Sequence, residues 1–222
     1  MRSVRCVPEL PAYLGRRTFL GCAATLAAGA LFPLTASAQP APIRELSGRV
    51  LINGREATLA SAIRAGDTVY TTHGASIWFT LGGAAFFLRP EAELRLEPRH
   101  AGDTAINALR LLTGALGATF GRGTQRTIIA RTATIGIRGT GVYIETQADE
   151  TYACTCFGTT ELMAADNRMM ERVPVSTVNH LARRIPRGSM QTLQAPFERH
   201  TNEEMAKLER YAGRPDPFPP PG

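Results

Sequence analysis

Two cysteines one residue apart, in Cys154-Thr155-Cys156, are the sharpest chemical feature of the sequence. The run Tyr152–Phe157 around them reads as a strand, and residues two apart on a strand point to the same face, so both thiols face one way. Their spacing along the strand is roughly 6.6 Å, which is wide for a disulfide, whose Cβ atoms sit ~3.8 Å apart. Two thiolates leaning towards one ion is the easier arrangement, and soft sulfur ligands suit zinc or copper. His180, in the next segment, is the third ligand the sequence offers. Three ligands would leave the fourth position of a tetrahedral site open. Two other readings stand beside this one: a pair of small core thiols, and a redox-labile disulfide. A single C-x-C with one histidine is a weaker pattern than paired C-x-x-C motifs. Thr155 points to the opposite face and is expected to be replaceable.

Nothing else in the chain suggests catalysis. No nucleophile-elbow motif marks any serine. His73 sits in a turn-like sequence, Thr72-His73-Gly74, and His100 and His200 lie in polar stretches, so all three read as solvated. Glu91, Glu93 and Glu97 alternate on one face, which reads as wet, and Arg183, Arg184 and Arg187 read as a solvated basic cluster. Gly136-Ile137-Arg138-Gly139-Thr140-Gly141 lacks the glycine spacing of a dinucleotide loop and no helix pattern follows it. Its glycines are expected to make a bend or bulge, with Arg138 pairing a carboxylate there. The sequence predicts a protein that is not an enzyme.

The amino terminus reads as an export signal. Arg16-Arg17-Thr18-Phe19-Leu20 is a twin-arginine pattern, residues 22–36 carry no charge, and Ala36-Ser37-Ala38 is a small-x-small exit, with cleavage expected after Ala38. The apolar stretch is shorter than the ~20 residues a membrane span needs. Removing residues 1–38 takes away Arg2, Arg5, Arg16, Arg17 and Glu9, so the formal charge falls from +6 to +3, with 21 basic and 18 acidic residues left. That is too little basicity to argue for nucleic acid. The expected location is the periplasm, and no transmembrane segment is expected in the mature chain.

Residues 39–47 read as a linker. From Gly48 the chain is a series of short apolar alternations broken by Asn53-Gly54, Gly66-Asp67, Gly82-Gly83 and Arg89-Pro90, the pattern of consecutive strands of an all-β unit. Asn-Gly between apolar runs is a strong hairpin signal. Ala84–Leu88 is continuously apolar and expected to be buried on both faces, and Phe79, Phe87, Leu111, Ile137 and Ile144 are expected in the core. Residues 166–200 read as an irregular extension with one extra strand at Val175–Val178. Asn202–Tyr211 reads as a short helix with Thr201 as N-cap and Glu203 and Glu204 in its first turn, ahead of a mobile Pro-rich tail.

Read in order, several of these pieces resemble the FecR domain: Gly48-Arg49-Val50 with Asn53-Gly54, Gly66-Asp67-Thr68-Val69 with Thr71, Leu88-Arg89-Pro90, Leu111-Leu112-Thr113-Gly114-Ala115-Leu116, and Arg131 to Thr140. The stretch covers residues 48–165. One departure is Leu81-Gly82-Gly83-Ala84, where the family usually carries an acidic residue before a glycine. The resemblance implies a twisted β-solenoid or roll and a non-catalytic periplasmic sensing or interaction module whose partner is an envelope protein or a glycan. Members that regulate iron uptake also carry a cytoplasmic anti-sigma region and a membrane span. Only fifteen residues precede Arg16, so that role is not expected here. Cys154-Thr155-Cys156-Phe157-Gly158 with a later histidine, His180, also resembles a stretch in a subgroup of exported FecR-like proteins.

Overall fold

The structure, a computed structural model, describes residues 43–165 and 172–218. The export signal expected over residues 1–38 lies outside the described residues. Fourteen strands form one sheet: β1 (Ile43–Ser47), β2 (Val50–Ile52), β3 (Arg55–Glu56), β4 (Thr68–Thr71), β5 (Ser76–Leu81), β6 (Ala84–Leu88), β7 (Glu93–Pro98), β8 (Ile106–Thr119), β9 (Gln125–Ile129), β10 (Ala133–Thr146), β11 (Glu150–Ala164), β12 (Val173–Thr177), β13 (Leu181–Pro186) and β14 (Leu193–Ala195). One helix follows, α1 (Asn202–Tyr211). The fold is therefore all-β with a short C-terminal helix, and the sheet does not close. No helix among the described residues is long and apolar enough to cross a membrane.

Three long strands, β8, β10 and β11, give the sheet its rolled form because each changes partner along its length. The first half of β10 pairs with β9 and its second half with β8. The first half of β11 pairs with β13 and its second half with β12. The change in β10 and β11 falls at facing glycines, where the register between the two strands shifts. Gly139 (φ 62°) and Gly158 (φ 85°) both take a left-handed conformation. A Cβ on Gly158 would stand 2.7 Å from the Gly139 carbonyl oxygen, so the bend requires residues without a side chain. Arg138 pairs with Glu161 at 2.7 Å beside it. The Asn53-Gly54 turn has positive φ at both residues, as the two-residue hairpin between β2 and β3 demands.

Rolling the sheet buries both of its faces. Val142 and Ile144 of β10 point into an inner core with Phe79, Phe86, Leu88, Leu111 and Ile137. Tyr143, between them, points the other way into an outer layer with Ala85, Phe87, Ala115, Tyr152, Cys154 and Cys156, where Met205 and Leu208 of α1 cover it. Phe79, Phe87, Leu111, Ile137 and Ile144 are all buried, as is every residue of β6.

Three segments differ from their sequence reading. Residues 43–47, read as linker, form β1 and pair antiparallel with β5. Ile43 supplies the apolar inner side chain that makes this worthwhile. Residues 166–200, read as irregular with one extra strand at Val175–Val178, contain β12, overlapping that strand, and also β13 and β14 among those described. Phe218, in the tail read as mobile, packs its ring edge-on to Phe157 at 5.7 Å between centroids.

Candidate metal centre

The outer layer holds the thiols. Tyr152, Cys154 and Cys156 alternate along β11 towards it. The antiparallel register sets Cys154 opposite Ala182 and Thr155 opposite Leu181. One step further, the His180 amide donates to the Cys156 carbonyl at 2.9 Å. His180 thus stands at the head of β13, with a left-handed φ of 38°, and its Nδ1 lies 3.6 Å from Cys154 Sγ. The structure thus brings Cys154, Cys156 and His180 together.

A fourth residue joins them. His200, read from sequence as solvated, is 5% exposed, and its Nε2 lies 3.3 Å from Cys156 Sγ. The correction has a physical cause in the connector from β14 to α1. The Tyr152 hydroxyl donates to the Pro196 carbonyl at 3.0 Å and accepts from the Glu198 amide at 3.2 Å. Arg184 pairs with Glu198 at 2.7 Å, and Arg199 pairs with Glu145. Arg199 itself turns with φ 72°. With the charges on both sides tied down, the imidazole is laid flat on Tyr143, ring centroids 4.4 Å apart and planes 9° apart. Arg184, expected to be solvated, is one of these ties. His73 remains exposed as expected.

The ligand atoms of Cys154, Cys156, His180 and His200 all lie within 4.8 Å of one another. A tetrahedral zinc with Zn–S near 2.3 Å and Zn–N near 2.1 Å would hold its ligands roughly 3.4–3.8 Å apart. The two sulfur-to-nitrogen distances already fall at or just below that range, so small side-chain shifts would complete it. The fourth ligand removes the open position that three would have left.

No family model matches the chain. No curated protein matches it either. Among solved structures, two crystal structures of a "putative anti-sigma factor" from Parabacteroides distasonis are similar to it, at 12% identity with TM-scores of 0.48 and 0.46. The match covers 64% of this chain and 64% of the first, and 58% of each for the second. The chain thus spans under two thirds of the length of the structures it matches.

The hydrogen bonds behind the two rings decide what they offer. His200 Nδ1 lies 2.9 Å from the Glu198 carbonyl oxygen. A carbonyl only accepts, so Nδ1 carries the proton, and in the neutral ring Nε2 turns a bare lone pair towards Cys156. His180 Nε2 lies 2.7 Å from the Asn202 amide oxygen, which fixes the other tautomer and aims Nδ1 at Cys154. Metal-ligating histidines are held in this way, the distal N–H given to a carbonyl or carboxylate. The thiols differ from each other. A hydrogen bond from the Cys156 thiol holds Cys154 below its ordinary value, against the opposing effect of burial. Burial drives Cys156 the other way. With bare nitrogens facing them, the thiols keep their protons, and a bound cation would supply the charge that ionises both. Thr155 does point to the opposite face, but it is buried there, its hydroxyl 2.7 Å from that of Thr160.

Proposed function

We propose that this protein is a non-catalytic binding module of the bacterial envelope, FecR-like in its sequence pattern, whose functional centre is a closed zinc site formed by Cys154, Cys156, His180 and His200. The observation that carries the reading is the direction of the two imidazoles. Each gives its distal N–H to an oxygen and turns its remaining nitrogen to a thiol. A tetrahedral set of two sulfurs and two nitrogens suits zinc. Four protein ligands leave no position for substrate or water, which is the arrangement of structural sites and not of catalytic ones. Burial supports the same view, because Cys154, Cys156 and His200 are buried and His180 is half-buried.

Elemental analysis of protein recovered from the periplasm tests this. One zinc per chain is expected, lost in Cys154→Ala and in Cys156→Ala. A wild-type protein that takes up no zinc when loaded under reducing conditions, and keeps two titratable thiols, would overturn the centre and leave two core cysteines. A mass two hydrogens lighter with no free thiol would instead identify the pair as a disulfide.

A further inference from the structure

The four donors do not all belong to the sheet. Cys154 and Cys156 stand on β11, and His180 is held to that strand by its backbone bond to Cys156. His200 lies on the segment that leaves β14, turns at Arg199 and enters α1 through the Thr201 cap. Asn202, the first residue of α1, accepts the bond from His180 Nε2. The centre therefore straddles the seam between the sheet and the C-terminal segment. That segment covers the outer layer, with Met205 and Leu208 fully buried over it and Phe218 against Phe157 and His180. It is also tied by the pair of buried Glu209 with Arg214, whose guanidinium reaches the Thr119 hydroxyl at 2.9 Å and the Gly83 carbonyl at 2.7 Å, and by two ion pairs more open to water. Arg89–Glu204 spans 2.8 Å with side chains 36% and 21% exposed, and Lys207–Glu45 spans 2.7 Å with 31% and 42%. Pairs this exposed hold a helix weakly.

An ion bound between these groups has four donors when the segment is docked and loses His200 when it lifts away. A ligand that binds one of two states more tightly shifts the equilibrium towards that state, and by the same factor. We propose, on the strength of the zinc reading above, that the ion acts as a clasp. Its binding closes residues 197–218 over the outer face of the sheet. Its loss lets the segment open and bares the aromatic layer around Trp78, Phe87 and Tyr143.

Hydrogen exchange on the full mature chain, metal-free and zinc-loaded, tests the clasp, with zinc content measured on the same samples. With zinc at a hundred times its dissociation constant, α1 amides should exchange up to about a hundredfold more slowly, while amides of β4 and β7 change little. One zinc retained per chain with α1 exchange unchanged, or slowed only in step with the whole sheet, overturns the clasp and leaves the zinc centre standing. No retained zinc overturns the centre and the clasp with it. One variant sharpens the result. His200→Ala should bind zinc more weakly and lose the α1 response. A wild-type response in His200→Ala would sink the proposal.

Discussion

At the scale of single residues, burial and partner choice decide what a side chain can do, and Thr155 and His200 show this in opposite directions. Thr155 shares a buried hydrogen bond with Thr160 on the inner side of β11, away from the thiols. Thr155→Ala should therefore cost about 1–3 kcal/mol, because the Thr160 hydroxyl is left buried without its partner, while zinc content stays at that of the wild type. Chemical denaturation read beside metal analysis would check it. Loss of zinc in a folded Thr155→Ala would show that the two faces of β11 are not independent. Cys154, Cys156 and His180 could be read from the sequence because strand periodicity alone puts the thiols on one side and the next strand brings the histidine back. His200 could not. Its neighbours Glu198 and Arg199 look solvated, and their partners Arg184 and Glu145 are remote in the chain. The available signal was its position just before a helix cap, where the chain must turn back onto the sheet.

At the scale of elements, the legible pieces are those whose stop and start signals are local. Helix α1 keeps the bounds read from sequence because Thr201 and Glu204 form a capping box, the Thr201 hydroxyl accepting from the Glu204 amide and the Glu204 carboxylate accepting from the Thr201 amide. Thr201→Ala should cost about 1 kcal/mol of stability. It should raise exchange at the first α1 amides before the rest of the sheet responds. Unchanged exchange at Glu204 would show that the helix is held by its packing alone. Strands β13 and β14 are harder to read. Arg183 and Arg184 interrupt the apolar alternation of β13, and only Ala182 and Ile185 are buried in it. Such strands exist because β11 is long enough to offer a second edge, and a neighbour supplied by distant residues leaves no periodic mark in their own sequence.

At the scale of the molecule, a sheet with both faces covered has a consequence for how the centre is filled. Three of the four ligand residues are buried, so an ion has two routes to them: through an opened C-terminal segment, or as the chain folds around it, in which case metal binding and folding are one process. Thiols are kept reduced in the cytoplasm and face oxidation outside it, so the proposed envelope location would favour loading Cys154 and Cys156 before export. The proposed twin-arginine signal fits that order, since its route carries proteins already folded. Replacing Arg16 and Arg17 together by Lys should leave the precursor in the cytoplasm, folded and already holding its zinc, as fractionation and elemental analysis of the retained protein would show. Normal delivery of that double variant to the periplasm would refute the twin-arginine assignment. A retained precursor that is folded but free of zinc would instead separate loading from export, and would require the segment over residues 197–218 to open outside the cytoplasm to admit the ion.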